Sequence, residues 1–122
     1  MQHKESDTQI ACVRWFRLQY PRLARLLISI PNGGRRDIVT GKILKAEGAV
    51  AGASDLILLL RRGDFGCLCI EMKTRKGKQS DSQKAWQKVM ESFGNKYVIC
   101  RDVTSFINEI NNYLKIKNMA ED

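Results

Sequence analysis

The sequence predicts an α/β fold in one domain, a mixed four-stranded sheet flanked by helices. Three observations carry this. Two short apolar runs, Leu56–Leu60 and Cys67–Ile70, flank a polar break that holds Gly63 and Gly66, the pattern of a β-hairpin. Apolar residues recur at helical spacing near both ends of the chain. A strand–helix–strand unit closes the order, which requires a parallel crossover in the same sheet.

A chain of 122 residues is large enough to bury a core of its own, and we expect that core to span about residues 5–114, with a polar tail over 115–122 that frays. The net charge of +8 favours a polyanionic partner. Four cysteines, Cys12, Cys67, Cys69 and Cys100, lie in apolar segments without a C-x-x-C pair, so they read as small core residues rather than a disulfide framework or zinc site. The single histidine is His3, near the start of the chain, which excludes a Ser-His-Asp triad, a Cys-His pair and an HExxH zinc motif. No apolar stretch has the length of a membrane span and no signal-peptide pattern is present, so a cytoplasmic protein without a membrane partner is expected.

In chain order, Ile10, Val13, Phe16 and Tyr20 form the inward stripe of a helix from Lys4 that Pro21 interrupts. Glu5 and Gln9 stand one and two turns upstream; by itself Glu5 is a first-turn acid favoured by the helix dipole. Leu26–Ile30 reads as a short buried strand stopped by Pro31. The following Asn32-Gly33-Gly34-Arg35-Arg36 is either a polar loop or a phosphate cradle of exposed amides and guanidinium groups. A short helix spans Ile38–Glu47 and ends at Gly48. Small residues from Gly48 to Ser54 then approach Asp55, where backbone can come close to a ligand.

The second hairpin strand alternates, so Cys67, Cys69, Glu71 and Lys73 share one face and Leu68, Ile70 and Met72 the other. Pairing about Gly63-Asp64 sets Asp55 opposite Glu71 or Met72, a choice of register that a bulge at Gly63 or Gly66 settles. Either way two carboxylates meet at one end of the sheet. They repel unless a cation or proton lies between them, and an all-oxygen pair suits Mg²⁺ or Mn²⁺. Lys73 beside Glu71 is either a salt-bridge partner or a catalytic cation.

Past Lys73, the segment Thr74 to Gln79 is basic through Arg75, Lys76 and Lys78, at the edge of this cluster. Ser80-x-x-Gln83 is a capping box that opens a helix to Phe93, with Trp86, Val89, Met90 and Phe93 as its core stripe and Gly94 as its stop. Gln83 in its first turn also points toward the carboxylates. Tyr97–Cys100 is the fourth strand, and Asp102 or Thr104 caps a last helix with Phe106, Ile107, Ile110, Tyr113 and Leu114 inward.

An Asp at one strand's start with Glu-x-Lys at the next strand's end resembles the PD-(D/E)xK nuclease core. The stretches Gly48–Leu56, Ile70–Thr74, Ser80–Trp86 and Pro31–Gly34 narrow the resemblance to the VRR-NUC (virus-type replication–repair nuclease) family, from about Glu5 to Asn112. Ser54 stands where such proteins often have proline, at a position that shapes a turn. The resemblance implies a restriction-endonuclease-like core and a Mg²⁺- or Mn²⁺-dependent endonuclease acting on DNA. Stand-alone members are associated with branched DNA, Holliday junctions especially, and with homodimers. It implies catalytic roles for Asp55, Glu71, Lys73 and Glu5, and a metal held by Asp55, Glu71, the Met72 carbonyl and Glu5. It places Asn32, Gly33, Arg35, Arg36, Arg75, Lys76, Lys78 and Gln83 against DNA. The competing expectation is a nucleic-acid-binding module that kept the fold and lost the chemistry.

Overall fold

A computed structural model describes residues 4–31 and 38–118, and everything structural below concerns those residues. The phosphate-cradle candidates Asn32, Gly33, Arg35 and Arg36 lie outside them, as does His3.

The hairpin forms as β2 (Leu56–Leu58) and β3 (Leu68–Met72), antiparallel, with Leu56 against Ile70, Ile57 against Cys69 and Leu58 against Leu68. β2 is shorter than its apolar run, whereas β3 begins one residue later than its run and extends to Met72. Nearer the turn, Arg62 bridges Phe65, one residue out of step with the β2–β3 register. The extra residue therefore falls on the first strand's side, between Leu58 and Arg62, and not at Gly63 or Gly66 as expected. Leu59 and Leu60 turn away there: Leu59 N–H donates to the Leu26 carbonyl and Leu60 N–H to that of Leu58. Extended by one residue outward, the register sets Asp55 against Glu71 rather than Met72.

β1 (Leu27–Ser29) pairs antiparallel with β2, and β4 (Lys96–Cys100) pairs parallel with β3, giving the order β1-β2-β3-β4. The parallel crossover runs through α3 (Asp81–Ser92). α1 (Lys4–Gln19) ends before Pro21, and a 3₁₀ turn, Pro21–Leu26, feeds β1. α2 (Ile38–Ala46) precedes the Asp55 segment, and α4 (Val103–Lys115) follows β4, capped by Asp102, which accepts from Ser105 N–H.

Alternation sorts the sheet into two faces. Leu27, Leu56, Leu58, Leu68, Ile70, Met72, Val98 and Cys100 meet Cys12 and Phe16 of α1 and Phe106, Ile110 and Tyr113 of α4 in one buried cluster. Each large side chain buried there contributes about 1.5–3 kcal/mol. Cys69, Glu71 and Tyr97 belong to the opposite face, under α3, where the Trp86 ring lies 6.1 Å from that of Tyr97.

Three packing expectations need correction. Ile10 is 53% exposed, and Cys12 takes the inward place on α1. The stripe of α3 is not core: no α3 residue is fully buried, and Phe93, just past its end, is 81% exposed. The tail is anchored at its start, since Ile116 packs on the core and Asn118 Oδ1 accepts from Gly63 N–H at 2.8 Å.

Candidate active site

Asp55 follows Ser54, whose buried hydroxyl donates to the Leu56 carbonyl at 3.0 Å; a side-chain hydrogen bond shapes the turn that proline shapes elsewhere. The preceding Gly52 has φ +86, and a Cβ there would overlap the Ser82 backbone. Close approach at this small-residue stretch is thus to the first turn of α3 rather than to a ligand. It locks the Asp55 segment to the helix that carries Gln83. Asp55 Oδ2 then accepts from Met72 N–H at 2.7 Å, and its carbonyl from Ile30 N–H at 2.8 Å.

Glu71 is only 2% exposed. Gln83 Nε2 donates to its Oε2 at 2.9 Å and the Tyr97 hydroxyl donates to its Oε1 at 3.3 Å. Lys73 Nζ stands 4.0 Å from Oε2. Burial first, then the charge of Asp55 and hydrogen bonding with it, pushes the Glu71 carboxyl up to about 8, against the pull of Lys73 and Tyr97. Glu71 therefore keeps its proton to a higher pH than an ordinary carboxyl, through burial first and then the nearby Asp55. An oxygen-donor pair under this strain fits a hard divalent ion.

Gln83 does two things at once. Its Oε1 accepts from Ser80 N–H at 2.8 Å, completing the predicted capping box, while its Nε2 reaches Glu71. Its amide is thereby turned to the helix start and the carboxylate. Glu5 and Gln9 line a cavity of about 790 Å³ together with Asp55. Among the described residues, however, no three His, Cys, Asp or Glu side chains gather closely enough to hold a metal among themselves. Glu5 borders the site without joining the Asp55–Glu71 pair.

Sequence reasoning missed three residues. Tyr97 reaches Glu71 because the parallel register sets Cys69 against Tyr97, a pairing no local pattern encodes. Gln79 Nε2 donates to the Tyr97 hydroxyl at 3.2 Å and to Gln87 Oε1 at 2.8 Å. Arg101 Nη1 donates to the carbonyls of Thr74 at 2.8 Å, Gly77 at 2.7 Å and Arg75 at 3.4 Å. Arg101 fastens the basic loop from Thr74 to Gly77 and Gln79 holds its end, leaving Arg75, Lys76 and Lys78 exposed. Cys69 is buried on Glu71's face, with its sulfur 3.8 Å from that of Cys67; all four cysteines are free, and Cys12, Cys69 and Cys100 are the expected buried thiols, whereas Cys67 is only half-buried.

The mixed sheet, its flanking helices and the carboxylates and lysine at the β2–β3 end make this an α/β domain of the PD-(D/E)xK nuclease type. The family model of the VRR-NUC domain matches residues 2–103. A solved structure described as a VRR_NUC domain protein superposes with a TM-score of 0.82 at 23% identity, covering 93% of this chain and 90% of that one. No curated protein matches. The chain belongs to the VRR-NUC family, and that membership gives it a nuclease-type function with DNA as the class of partner. Among the described residues no helix is long and apolar enough to cross a membrane.

Proposed function

We propose that this protein is a divalent-cation-dependent endonuclease that hydrolyses DNA phosphodiesters at the Asp55–Glu71 pair. The observation that supports this most is the buried Glu71 carboxyl, 2% exposed, held by two donors and pressed against a second carboxylate. Such an arrangement is costly for a protein that gains nothing from it.

Asp55, Glu71 and the Met72 carbonyl would hold Mg²⁺ or Mn²⁺, and Glu5, which lines the same cavity as Asp55, would act on the ion only through an intervening water. The ion supplies an activated water and neutralises charge on the phosphoryl oxygens. The chain's own residues do the rest. Gln83 and Tyr97 fix the rotamer of Glu71, and the Met72 amide fixes Asp55. Lys73, beside Glu71, offsets charge at the attacked phosphate or takes up a proton from the water. Arg75, Lys76 and Lys78, on their fastened loop, grip backbone phosphates on either side.

A grip on backbone phosphates by Arg75, Lys76 and Lys78 favours selection by shape over base sequence. We therefore propose branched DNA, four-way Holliday junctions included, as the preferred substrate. A homodimer would place two such sites about a two-fold axis, as paired cuts require. The test is cleavage of a four-way junction and of a linear duplex of equal length, with sedimentation of the protein at micromolar concentration. The account predicts junction cleavage that needs Mg²⁺ or Mn²⁺, and a dimer. Equal cleavage of both substrates by a monomer would remove the shape and dimer claims; DNA binding without any cleavage would leave the binding module.

A further inference from the structure

The cavity that Asp55 borders extends well past the carboxylates. It runs along α1 from Glu5 to Leu18, walled on the other side by Leu27, Ser29, Ile30 and Leu56. Ile10, Arg14 and Leu18 are spaced by four, so they form one face of the helix, with Arg17 beside them. That face is not the one packed inward, which carries Cys12 and Phe16. Ile10 is 53% and Leu18 78% exposed, large aliphatic groups in water at the rim of a groove. The groove is thus acidic at one end (Glu5, Asp55), aliphatic along its length, and basic at the other end through Arg14 and Arg17. At 1.5 Å per residue those arginines sit about 13 and 18 Å beyond Glu5, a span of a few nucleotides.

We propose that this groove takes the unpaired strand of a DNA substrate, with a base against Ile10 and Leu18 and its phosphates on Arg14 and Arg17. A duplex offers such a groove only phosphate and sugar, because its base faces are stacked inside, so the aliphatic side chains would gain nothing from it. An unpaired nucleotide carries both parts the groove matches, an apolar ring face and an anion. The phosphate grip at the far end would then deliver the same strand to Asp55. This rests on the reading of Asp55 and Glu71 as the cleaving end, and it supplies a physical reason for a preference for branched DNA, where bases leave the stack.

The test uses full-length protein in a chelator, so that no cleavage occurs, with an oligonucleotide carrying 2-aminopurine at an unpaired position and the same oligonucleotide fully paired. Capture in the groove predicts a change in 2-aminopurine emission with the unpaired probe that is lost in the Ile10→Ser/Leu18→Ser variant. The variant's affinity for the unpaired probe should fall about tenfold, the scale of losing one base contact. Arg14→Ala/Arg17→Ala should make the salt slope for the unpaired strand shallower by about 1.4, at about 0.7 per phosphate. An unchanged emission response and affinity in the serine variant would overturn the inference. So would conversion of a dimer to a monomer by those substitutions, since the groove would then be an interface between copies. Base capture in a protein that never cleaves would defeat the nuclease reading alone; cleavage without base capture would defeat this inference alone.

Discussion

Gln83 Nε2 lies 2.9 Å from Glu71 Oε2 while Gln83 Oε1 closes the cap of α3 on Ser80 N–H. One side chain therefore couples the start of a helix to the buried carboxylate of the site. Replacing it separates the two roles. Gln83→Leu should lower cleavage about 10–100-fold, as loss of a group that orients a metal-holding carboxylate does. Ser80→Ala should cost about 1 kcal/mol of stability through the cap while retaining most of the activity. Parallel denaturation and cleavage assays on the two variants check this; equal activity losses would mean that Gln83 acts only as a cap.

The raised Glu71 carboxyl makes stability depend on pH in a defined direction. Its folded value, about 8, lies above the ordinary 4.5, so the folded state keeps a proton that the unfolded chain releases. This contribution is fully present below about 4.5 and is lost as pH rises through about 8. A cation between the carboxylates replaces the proton, so stabilisation by Mg²⁺ should grow over the same range. Melting temperatures measured from pH 5 to 9 with and without Mg²⁺ read it directly. Glu71→Gln should flatten the metal-free curve.

Gly52→Ala should be costly out of proportion to one methyl group. The residue has φ +86, and the added carbon would meet the Ser82 backbone, which cannot swing aside like a side chain. The strain amounts to about 1–3 kcal/mol, and relief requires α3 to move away from Asp55. Denaturant midpoint and cleavage rate should fall together. A stable variant with normal cleavage would show that the Asp55 segment and α3 are not rigidly joined.

Arg101 is exposed, and its guanidinium is spent on the carbonyls of the basic loop rather than on solvent. Arg101→Ala should change stability by less than about 1 kcal/mol. It should weaken DNA binding and make its salt dependence shallower as Arg75, Lys76 and Lys78 lose their fixed positions. Arg101→Lys should restore only part, because a single ammonium cannot reproduce the fork. An unaltered salt slope in Arg101→Ala would remove the clamp.

Much of the site was legible because it is local. The parity of Glu71 and Lys73 at the end of β3, the Asp55 strand start and the Ser80–Gln83 cap are each written within a few residues of sequence. What escaped was set by pairing between distant segments. Tyr97 meets Glu71 only through the parallel β3–β4 register, and Arg101 reaches Thr74 and Gly77 only once β4 lies beside β3. The bulge between Leu58 and Arg62 likewise depends on Leu59 being claimed by Leu26, outside the hairpin. Periodicity marks the apolar faces of α1 and α3 without saying what covers them, so Ile10 and Phe93 fit an inward stripe by spacing and are nonetheless exposed.

The central claim is that Glu71 is the carboxylate on which phosphodiester hydrolysis depends. The direct measurement is cleavage of a four-way DNA junction in Mg²⁺ by wild type and by Glu71→Gln, purified identically, with DNA affinity measured on the same samples. The account predicts a loss of about 10²-fold or more in cleavage with affinity little changed, since the substitution would replace an oxygen proposed to hold the metal and keep the shape. Equal cleavage by the two proteins would contradict it.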